Sequence, residues 1–115
     1  MAQQFGRDAR LRQRSDYKHV EAAARRVSAR FVTLLGRANG RTGDRLGIIA
    51  SRRIGGAVAR NRAKRRLRSL FRQREAGPGA ALDIVAIAKA EIVRAPFAAV
   101  RSDFSAAWSK LRGAR

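Results

Sequence analysis

Cysteine is absent from this chain of 115 residues, which excludes disulfide bonds and cysteine-based zinc sites as sources of stability. That absence fits a reducing compartment, and we expect the protein to be cytoplasmic. No apolar run approaches the roughly 20 residues that a membrane helix needs. The first ten residues, MAQQFGRDAR, also lack the apolar segment of a secretory signal. We therefore expect neither membrane association nor export.

Acidic residues and histidine are scarce, which bears on catalysis. The acids lie singly along the chain, at Asp8, Asp16, Glu21, Asp44, Glu75, Asp83, Glu91 and Asp103. A two-metal nuclease needs clustered carboxylates that hold metal ions about 4 Å apart, and a metal-independent ribonuclease usually needs two acid–base groups. Folding could bring distant acids together, but His19 is the only histidine. We therefore expect no catalytic residue and no metal site in this chain.

Arginine and lysine are abundant instead. There are 27 of them against 8 acids, which gives a formal net charge of +19, and most of the cations are Arg. The densest stretch, residues 52–74, contains no acid. Such a surface repels itself unless a polyanion neutralises it, and Arg pairs bidentately with phosphate. The composition predicts a nucleic-acid-binding protein, and the hydrophobic content of 45% predicts one folded domain.

The N-terminal region is expected to hold a basic arm and a short helix. Residues 1–14 form the arm, which is either a solvated terminus or a segment that contacts RNA, and residues 15–115 form a single RNA-binding domain. A Ser-Asp pair at residues 15–16 can start the helix, which we expect to end near Arg26. Its apolar face consists of three residues at helical spacing: Tyr17, Val20 and Ala24.

Three strands are predicted in the rest of the chain. β-Branched and aromatic residues indicate strands over residues 27–37 and 45–51, and the turn-like composition between them favours a hairpin. The nearly continuous apolar run at residues 82–90 is typical of a strand buried on both faces. Because a helix separates this last strand from the second one, we expect the two to be parallel.

Two amphipathic helices complete the expected order. The first spans residues 57–74. Its apolar stripe contains Ala59, Ala63, Leu67 and Leu70 or Phe71, and a basic ridge beside it contains Arg60, Lys64, Arg68 and Arg72. The second starts at Pro96 and ends at Gly113, with a stripe of Phe97, Val100, Phe104, Trp108 and Leu111. We interpret this second stripe as core, with base stacking by Trp108 as the alternative.

The basic helix carries a family signature. Residues 52–68, RRIGGAVARNRAKRRLR, closely resemble the RNR motif of the bacterial ribonuclease P protein subunit. The resemblance extends over roughly residues 10–112. It includes Ser15-Asp16-Tyr17 with Val20 in the first helix, Arg30-Phe31-Val32 in the first strand and Asp83-Ile84-Val85 in the last.

The resemblance implies an α+β fold in the order α-β-β-α-β-α, with a mixed sheet whose βαβ crossover is left-handed in the family. It also implies that the chain is the small partner of a catalytic RNA. Together they remove the 5′ leader from precursor tRNA, and the RNA subunit with its magnesium ions performs the chemistry. Oligomerisation of the protein is not implied.

The resemblance also implies roles for individual residues. The RNA subunit is bound through the RNR helix region, and the leader lies in a cleft between the first helix and the sheet. The RNA-contact candidates by position are Arg52, Arg53, Arg60, Asn61, Arg62, Lys64, Arg65, Arg66 and Arg68. The cleft candidates are Tyr17 and Phe31. Glu21 departs from the family pattern, since relatives often have an apolar residue there, and its carboxylate should weaken leader binding unless it turns away.

Two other classes of function remain as alternatives. A structural RNA-binding protein, such as a small ribosomal protein, would have the same charge and size. A self-sufficient small nuclease would cleave RNA without an RNA partner. The RNR motif and its flanking strands favour the ribonuclease P subunit over the former, and the scattered acids argue against the latter.

Overall fold

The computed structural model describes residues 10–11, 13–23, 25–74 and 79–113. They form a four-stranded sheet with one helix on one face and two helices on the other. In chain order the elements are α1 (Arg14–Ala23), β1 (Arg25–Ser28), β2 (Val32–Ala38), β3 (Arg45–Ile49), α2 (Ala57–Arg72), β4 (Leu82–Ala88) and α3 (Phe97–Arg112). The α+β class and the predicted order are confirmed, with β1 as an additional short strand. None of the helices among these residues has the length and apolar character to cross a membrane.

The strand order is β1-β2-β4-β3, so the last strand in sequence lies inside the sheet. β4 is antiparallel to β2 and parallel to β3. The predicted parallel pairing is therefore confirmed, but the predicted hairpin between residues 27–37 and 45–51 is wrong because β4 lies between those strands. The apolar sequence of β4, LDIVAIA, explains this position, since an interior strand is paired on both edges and here is covered on both faces.

A turn at residues 29–31 divides the single strand expected over residues 27–37. β1 and β2 pair across this turn as an antiparallel hairpin. Backbone N–H groups that leave a ladder need new acceptors, and the carboxylate of Asp103 in α3 accepts from Arg30 (3.0 Å) and Phe31 (2.8 Å). The turn therefore depends on a residue far away in sequence, and no local pattern indicated it.

The larger core lies between the sheet and the two helices α2 and α3. The buried residues of α2 are Ala63, Leu67, Leu70 and Phe71. α3 follows Pro96 and ends at Gly113, as expected. Within it, the rings of Phe104 and Trp108 stack with centroids 6.2 Å apart, and Trp108 meets the ring of Phe71 edge-on at 6.3 Å. Because Phe104 and Trp108 are 3% and 5% exposed, the interpretation of this stripe as core is confirmed.

A smaller core lies on the opposite face of the sheet, under α1. It contains Leu11, Val20, Leu35 and Val85, with Tyr17 packed against them. α1 ends at Ala23 rather than near Arg26, because the following residues join β1. Ala24, predicted on the face of this helix, lies outside the described residues.

Two residues of the predicted basic arm pack against the domain. Arg10 forms a parallel bridge with Leu46 on the outer edge of β3, and the N–H of Leu11 donates to the carbonyl of Leu46 at 2.9 Å. Leu11 is 4% exposed. Residues 1–9 and 12 of the arm lie outside the described residues.

Candidate nucleic-acid interface

Helix α2 presents cations that no described acid neutralises through an ion pair. Its apolar stripe faces the core, which leaves the charged positions on the flank and on the outer side of the helix. We define the α2 basic surface as Arg60, Asn61, Arg62, Lys64, Arg65 and Arg68, all of them exposed or half-buried. In the part of the chain that the structure describes, none of its cations forms an ion pair. Residues four positions apart on a helix lie at about 6 Å intervals along its axis, so these charges match a row of phosphates.

The turn before α2 extends this basic surface. Arg52 and Arg53 are both exposed there. The turn is fixed by Ile54, which is buried in the larger core, and by a hydrogen bond from the N–H of Arg53 to the hydroxyl of Ser51 at 3.3 Å. Gly55 has a φ of 140°, a conformation that favours glycine. The two arginines are therefore held at the entrance of the helix, beside the α2 basic surface.

Arg66 differs from its neighbours on the helix. Its guanidinium donates to the carbonyls of Ile92 (2.8 Å) and Ala95 (2.7 Å) and lies 5.7 Å from the ring centroid of Phe97. Burial lowers the pKa of Arg66, and the nearby charge of Arg62 lowers it further. The predicted RNA contact is therefore engaged within the protein, where it fastens the segment between β4 and α3 to α2.

Tyr17 lies on the α1 side of the sheet, directly over β3. A Cβ atom on Gly47 would lie 2.6 Å from its Cζ atom, so the ring occupies the space that glycine leaves. Burial raises the pKa of the Tyr17 hydroxyl, while a backbone hydrogen bond from Ile48 and the charge of Arg68 act in the opposite direction. The charge of Arg68, a member of the α2 basic surface, therefore reaches the Tyr17 hydroxyl.

Half-buried apolar side chains continue from Tyr17 across the same face of the sheet, and we call Tyr17, Ile49 and Ile87 together the Tyr17 surface. Asp16, near the start of α1, lies 3.9 Å from Arg45 at the beginning of β3. At the other end of the paired strands, Ile49 and Ile87 are partners in the ladder and both are half-buried. Sequence reasoning missed these two isoleucines as members of the Tyr17 surface. The alternation of side chains along a strand could have indicated them, because they share a face with Val85 rather than with Ala86.

Phe31 is placed elsewhere. It is 4% exposed and belongs to the larger core on the α3 side of the sheet, with the guanidinium of Arg30 5.2 Å from its ring centroid. The structure therefore does not bring Tyr17 and Phe31 together. The turn at residues 29–31 is the reason, since it directs Phe31 towards α3. Glu21, one turn after Tyr17, is exposed.

Most of the described carboxylates have structural roles. Asp83 accepts two hydrogen bonds from the guanidinium of Arg45, at 2.8 and 2.7 Å. Asp44 accepts from the side chain of Arg74 at 3.1 Å, and Asp103 supports the turn before β2. No group of three His, Asp or Glu residues suited to a metal ion occurs within the described ranges. The arrangement offers cations and a partly exposed apolar surface for binding, and most of the described acids serve the fold.

Comparison with known proteins identifies what the chain resembles. Residues 5–112 match the family model described as Ribonuclease P. The ribonuclease P protein component of Syntrophomonas wolfei is 34% identical over 102 residues, which cover 89% of this chain and 86% of the relative. That of Acidothermus cellulolyticus is 38% identical over 97 residues, covering 83% and 81%.

Solved structures agree with these sequence matches. The RNase P protein from Thermotoga maritima superposes with a TM-score of 0.77 at 29% identity, covering 92% of this chain and 97% of that one. The RNase P protein of Staphylococcus aureus gives a TM-score of 0.80 at 23% identity, covering 90% and 97%, which shows a shared fold.

Proposed function

The chain belongs to the ribonuclease P protein family, and from this premise we propose that it binds a catalytic RNA and assists it in removing the 5′ leader from precursor tRNA. The observation that carries the proposal is the α2 basic surface, a rigid row of cations without ion-pair partners in the described chain. It coincides with the motif that resembles the RNR signature. In this proposal the protein acts in the cytoplasm, where precursor tRNA is processed.

In this proposal the RNA subunit performs the chemistry. Among the described acids, Asp44, Asp83 and Asp103 are engaged in the fold by hydrogen bonds. Magnesium ions held by the RNA subunit would activate the attacking water. The protein supplies positive charge that brings two polyanionic RNAs together and lowers their mutual repulsion.

The RNA subunit is bound by the α2 basic surface with Arg52 and Arg53. A-form RNA has a narrow major groove, so a helix carrying regularly spaced cations contacts the phosphate backbone and reads shape rather than sequence. Arg62 and Arg65 are the most informative members because both are exposed and neither forms a hydrogen bond or an ion pair with the described residues. Arg66 acts indirectly, by holding the segment after β4 against α2.

The leader lies across the Tyr17 surface, from Tyr17 to Ile49 and Ile87. A single strand exposes base faces, which stack on aromatic rings and pack on aliphatic side chains without regard to sequence. Arg68, close to Tyr17, supplies a charge for the leader phosphates. Phe31 is not part of this proposal, since it is packed on the other face.

A cleavage assay tests the function as a whole. Precursor tRNA is mixed with a bacterial ribonuclease P RNA at low magnesium concentration, with and without the protein. We expect cleavage to require the RNA and to improve when the protein is added. Cleavage by the protein alone would identify a nuclease. RNA binding without any effect on cleavage would instead identify a structural RNA-binding protein.

Two variants then test the separate surfaces. The double variant Arg62→Ala/Arg65→Ala should weaken assembly with the RNA subunit by about 1–3 kcal/mol if the contacts are charge-assisted hydrogen bonds. Lys110→Ala, which removes an exposed cation from α3, is the matched control. Tyr17→Ala should weaken binding of precursor tRNA by about tenfold and leave mature tRNA unaffected, because a base stack is worth roughly 1–3 kcal/mol. Equal effects on both tRNAs would place the leader elsewhere.

A further inference from the structure

A concavity of about 330 Å³ lies between α2 and α3, on the face of the sheet opposite α1. Its floor is apolar and is formed by Leu70, Phe104 and Trp108. These side chains are at most 5% exposed, so they remain part of the larger core and the concavity meets only a small part of each. The volume falls within the range of about 300–1,000 Å³ that is typical of sites for small organic groups. We call this concavity the α2–α3 pocket.

Polar side chains surround this apolar floor. Ser105 and Ser109 of α3 contribute two exposed hydroxyls, one helical turn apart. Gln73, which follows α2, donates from its amide to the hydroxyl of Ser69 at 3.2 Å. A glutamine amide has a second N–H and a carbonyl oxygen, so Gln73 has further hydrogen-bonding groups to offer. An apolar floor with a few hydrogen-bonding groups at its rim suits a flat group with a polar edge.

Arg101 supplies positive charge at the rim. Its guanidinium lies 5.3 Å from the ring centroid of Phe97, and no acid in the described part of the chain forms an ion pair with it. None of the described acids lines the pocket. Arg74 lines it too but is paired with Asp44 at 3.1 Å. We therefore assign ligand binding to Arg101 and not to Arg74.

The α2–α3 pocket adjoins the α2 basic surface. Phe97 links the two regions, because the guanidinium of Arg66 lies 5.7 Å from the same ring centroid that Arg101 approaches. The charge of Arg62, a member of the α2 basic surface, is close enough to Arg66 to lower its pKa. A strand bound on the α2 basic surface can therefore reach the pocket.

We propose that the α2–α3 pocket receives an unpaired base of the RNA subunit. The flat face and polar edge of a base match the floor and the rim, and the planar guanidinium of Arg101 stacks on the base while its charge attracts the phosphate of the same nucleotide. The inference rests on the proposed function, because that function supplies the RNA. The leader is assigned to the Tyr17 surface on the opposite face of the sheet, so the base belongs to the RNA subunit. Unpaired bases occur only in loops, bulges and ends, so the pocket would select one place along that RNA.

The first test fills the pocket in the full-length protein and measures binding to a bacterial ribonuclease P RNA over a range of KCl concentrations. Ser105→Phe places a ring at the rim and should weaken assembly by about tenfold, as expected for one lost base stack. Because no cation is removed, the slope of log K against log salt should stay the same. Ser102→Phe is the matched control, since Ser102 is exposed on α3 outside the pocket, and it should bind like the wild type.

The second test removes the charge. Arg101→Ala should weaken assembly by about tenfold and reduce the slope of log K against log salt by about 0.7–0.9, the value for one lost phosphate contact. Lys110→Ala removes the same charge from an exposed position of α3 outside the pocket and should change neither quantity measurably. Arg101→Lys keeps the charge but loses the planar group, so it should lower the affinity without changing the slope.

Trp108 provides a direct signal, because it is the only tryptophan of the chain and forms part of the floor. Its fluorescence should change when the wild type or Ser102→Phe is saturated with the RNA subunit, and it should change much less in Ser105→Phe. Emission that stays the same when the wild type assembles would refute a base in the pocket.

Other outcomes would also overturn the proposal. Equal losses for Ser105→Phe and Ser102→Phe would show that a bulky group anywhere on α3 disturbs assembly. Unchanged assembly together with weaker binding of tRNA to the preassembled complex would refute the assignment to the RNA subunit. The variant Arg62→Ala/Arg65→Ala separates this inference from the proposed function. If that variant weakens assembly while the Ser105 and Arg101 variants bind like the wild type, only the pocket is refuted. If none of them weakens assembly, the proposed function fails as well. Thermal melts establish that each variant is folded, and Arg101→Ala decides the matter if Ser105→Phe is not.

Discussion

Replacing Gly47 with Ala should destabilise the protein through its effect on Tyr17. The new Cβ atom would lie 2.6 Å from Cζ of Tyr17, 2.7 Å from its hydroxyl oxygen and 2.8 Å from Cε2. Carbon atoms in proteins do not approach that closely, so the ring must move off β3. The move also takes the Tyr17 hydroxyl away from the backbone of Ile48, which lies close enough to act on its pKa.

Two opposing effects determine how far Gly47→Ala changes the free energy of unfolding. Overpacking typically costs about 1–3 kcal/mol. Against this, Ala is preferred over Gly within a strand by roughly 0.5–1 kcal/mol. We expect Gly47→Ala to lower the free energy of unfolding by about 1–2 kcal/mol.

A double-mutant cycle measured by urea denaturation tests this reasoning. In the Tyr17→Ala background no ring remains to be displaced, so Gly47→Ala should then be neutral or slightly stabilising. The coupling energy between the two positions should therefore be about 1–3 kcal/mol. Additive effects within about 0.5 kcal/mol would mean that the ring is not seated on Gly47. If the leader stacks on Tyr17 as proposed, Gly47→Ala should also weaken precursor tRNA binding, as Tyr17→Ala does, because the ring is displaced from its place over β3.

Three further predictions concern stability. Phe104→Ala should lower the free energy of unfolding by about 3–5 kcal/mol by opening a cavity in the larger core. If this variant melted like the wild type but no longer bound RNA, the ring would instead serve as a platform for base stacking. Burial alone would raise the pKa of Asp83, but hydrogen bonds, first of all from Arg45, hold it below its usual value. The ionised Asp83 therefore stabilises the fold above the unfolded-state pKa of about 3.9, and this contribution is lost as the pH falls through the lower folded-state pKa. In urea unfolding between pH 7 and 2, the free energy of unfolding should depend less on pH in Asp83→Asn than in the wild type. Identical pH profiles would contradict this. Arg66→Ala should lower the free energy of unfolding by about 1–3 kcal/mol because two carbonyls lose a charged donor. Arg62→Ala should leave that free energy within about 0.5 kcal/mol of the wild type. Equal losses for the two variants in urea titrations would contradict the distinction.

Local periodicity was sufficient to predict the elements that can be recognised without knowing which other elements they pack against. The spacing of apolar residues placed α2 and α3 close to their observed bounds, and the apolar run of β4 indicated a strand buried on both faces. The strand order was not accessible in this way. Nothing in residues 27–51 indicates that β4 will separate β2 from β3. The strand order depends on which strand is stabilised most by burial in the interior of the sheet.

The same distinction explains the candidate site. The α2 basic surface could be predicted because one helix positions all of its members. The pairing of Tyr17 with Phe31 required knowledge of which face of the sheet each residue occupies, and the turn held by Asp103 decides this for Phe31. Ile49 and Ile87 were missed because two strand residues become neighbours on one surface only through the register of their strands.

The interior position of β4 has a consequence for the synthesis of the chain. β2 and β3 pair with β4 and not with each other, so the sheet stays incomplete until translation passes Ala88. Elongation at about 5–20 residues per second leaves the basic segment outside the ribosome, without its scaffold, for seconds. β4 must then insert between two strands that were made earlier, a non-local pairing of the kind that slows folding. A truncated chain that stops before Leu82 would carry all the cations of α2 but no continuous sheet to orient them.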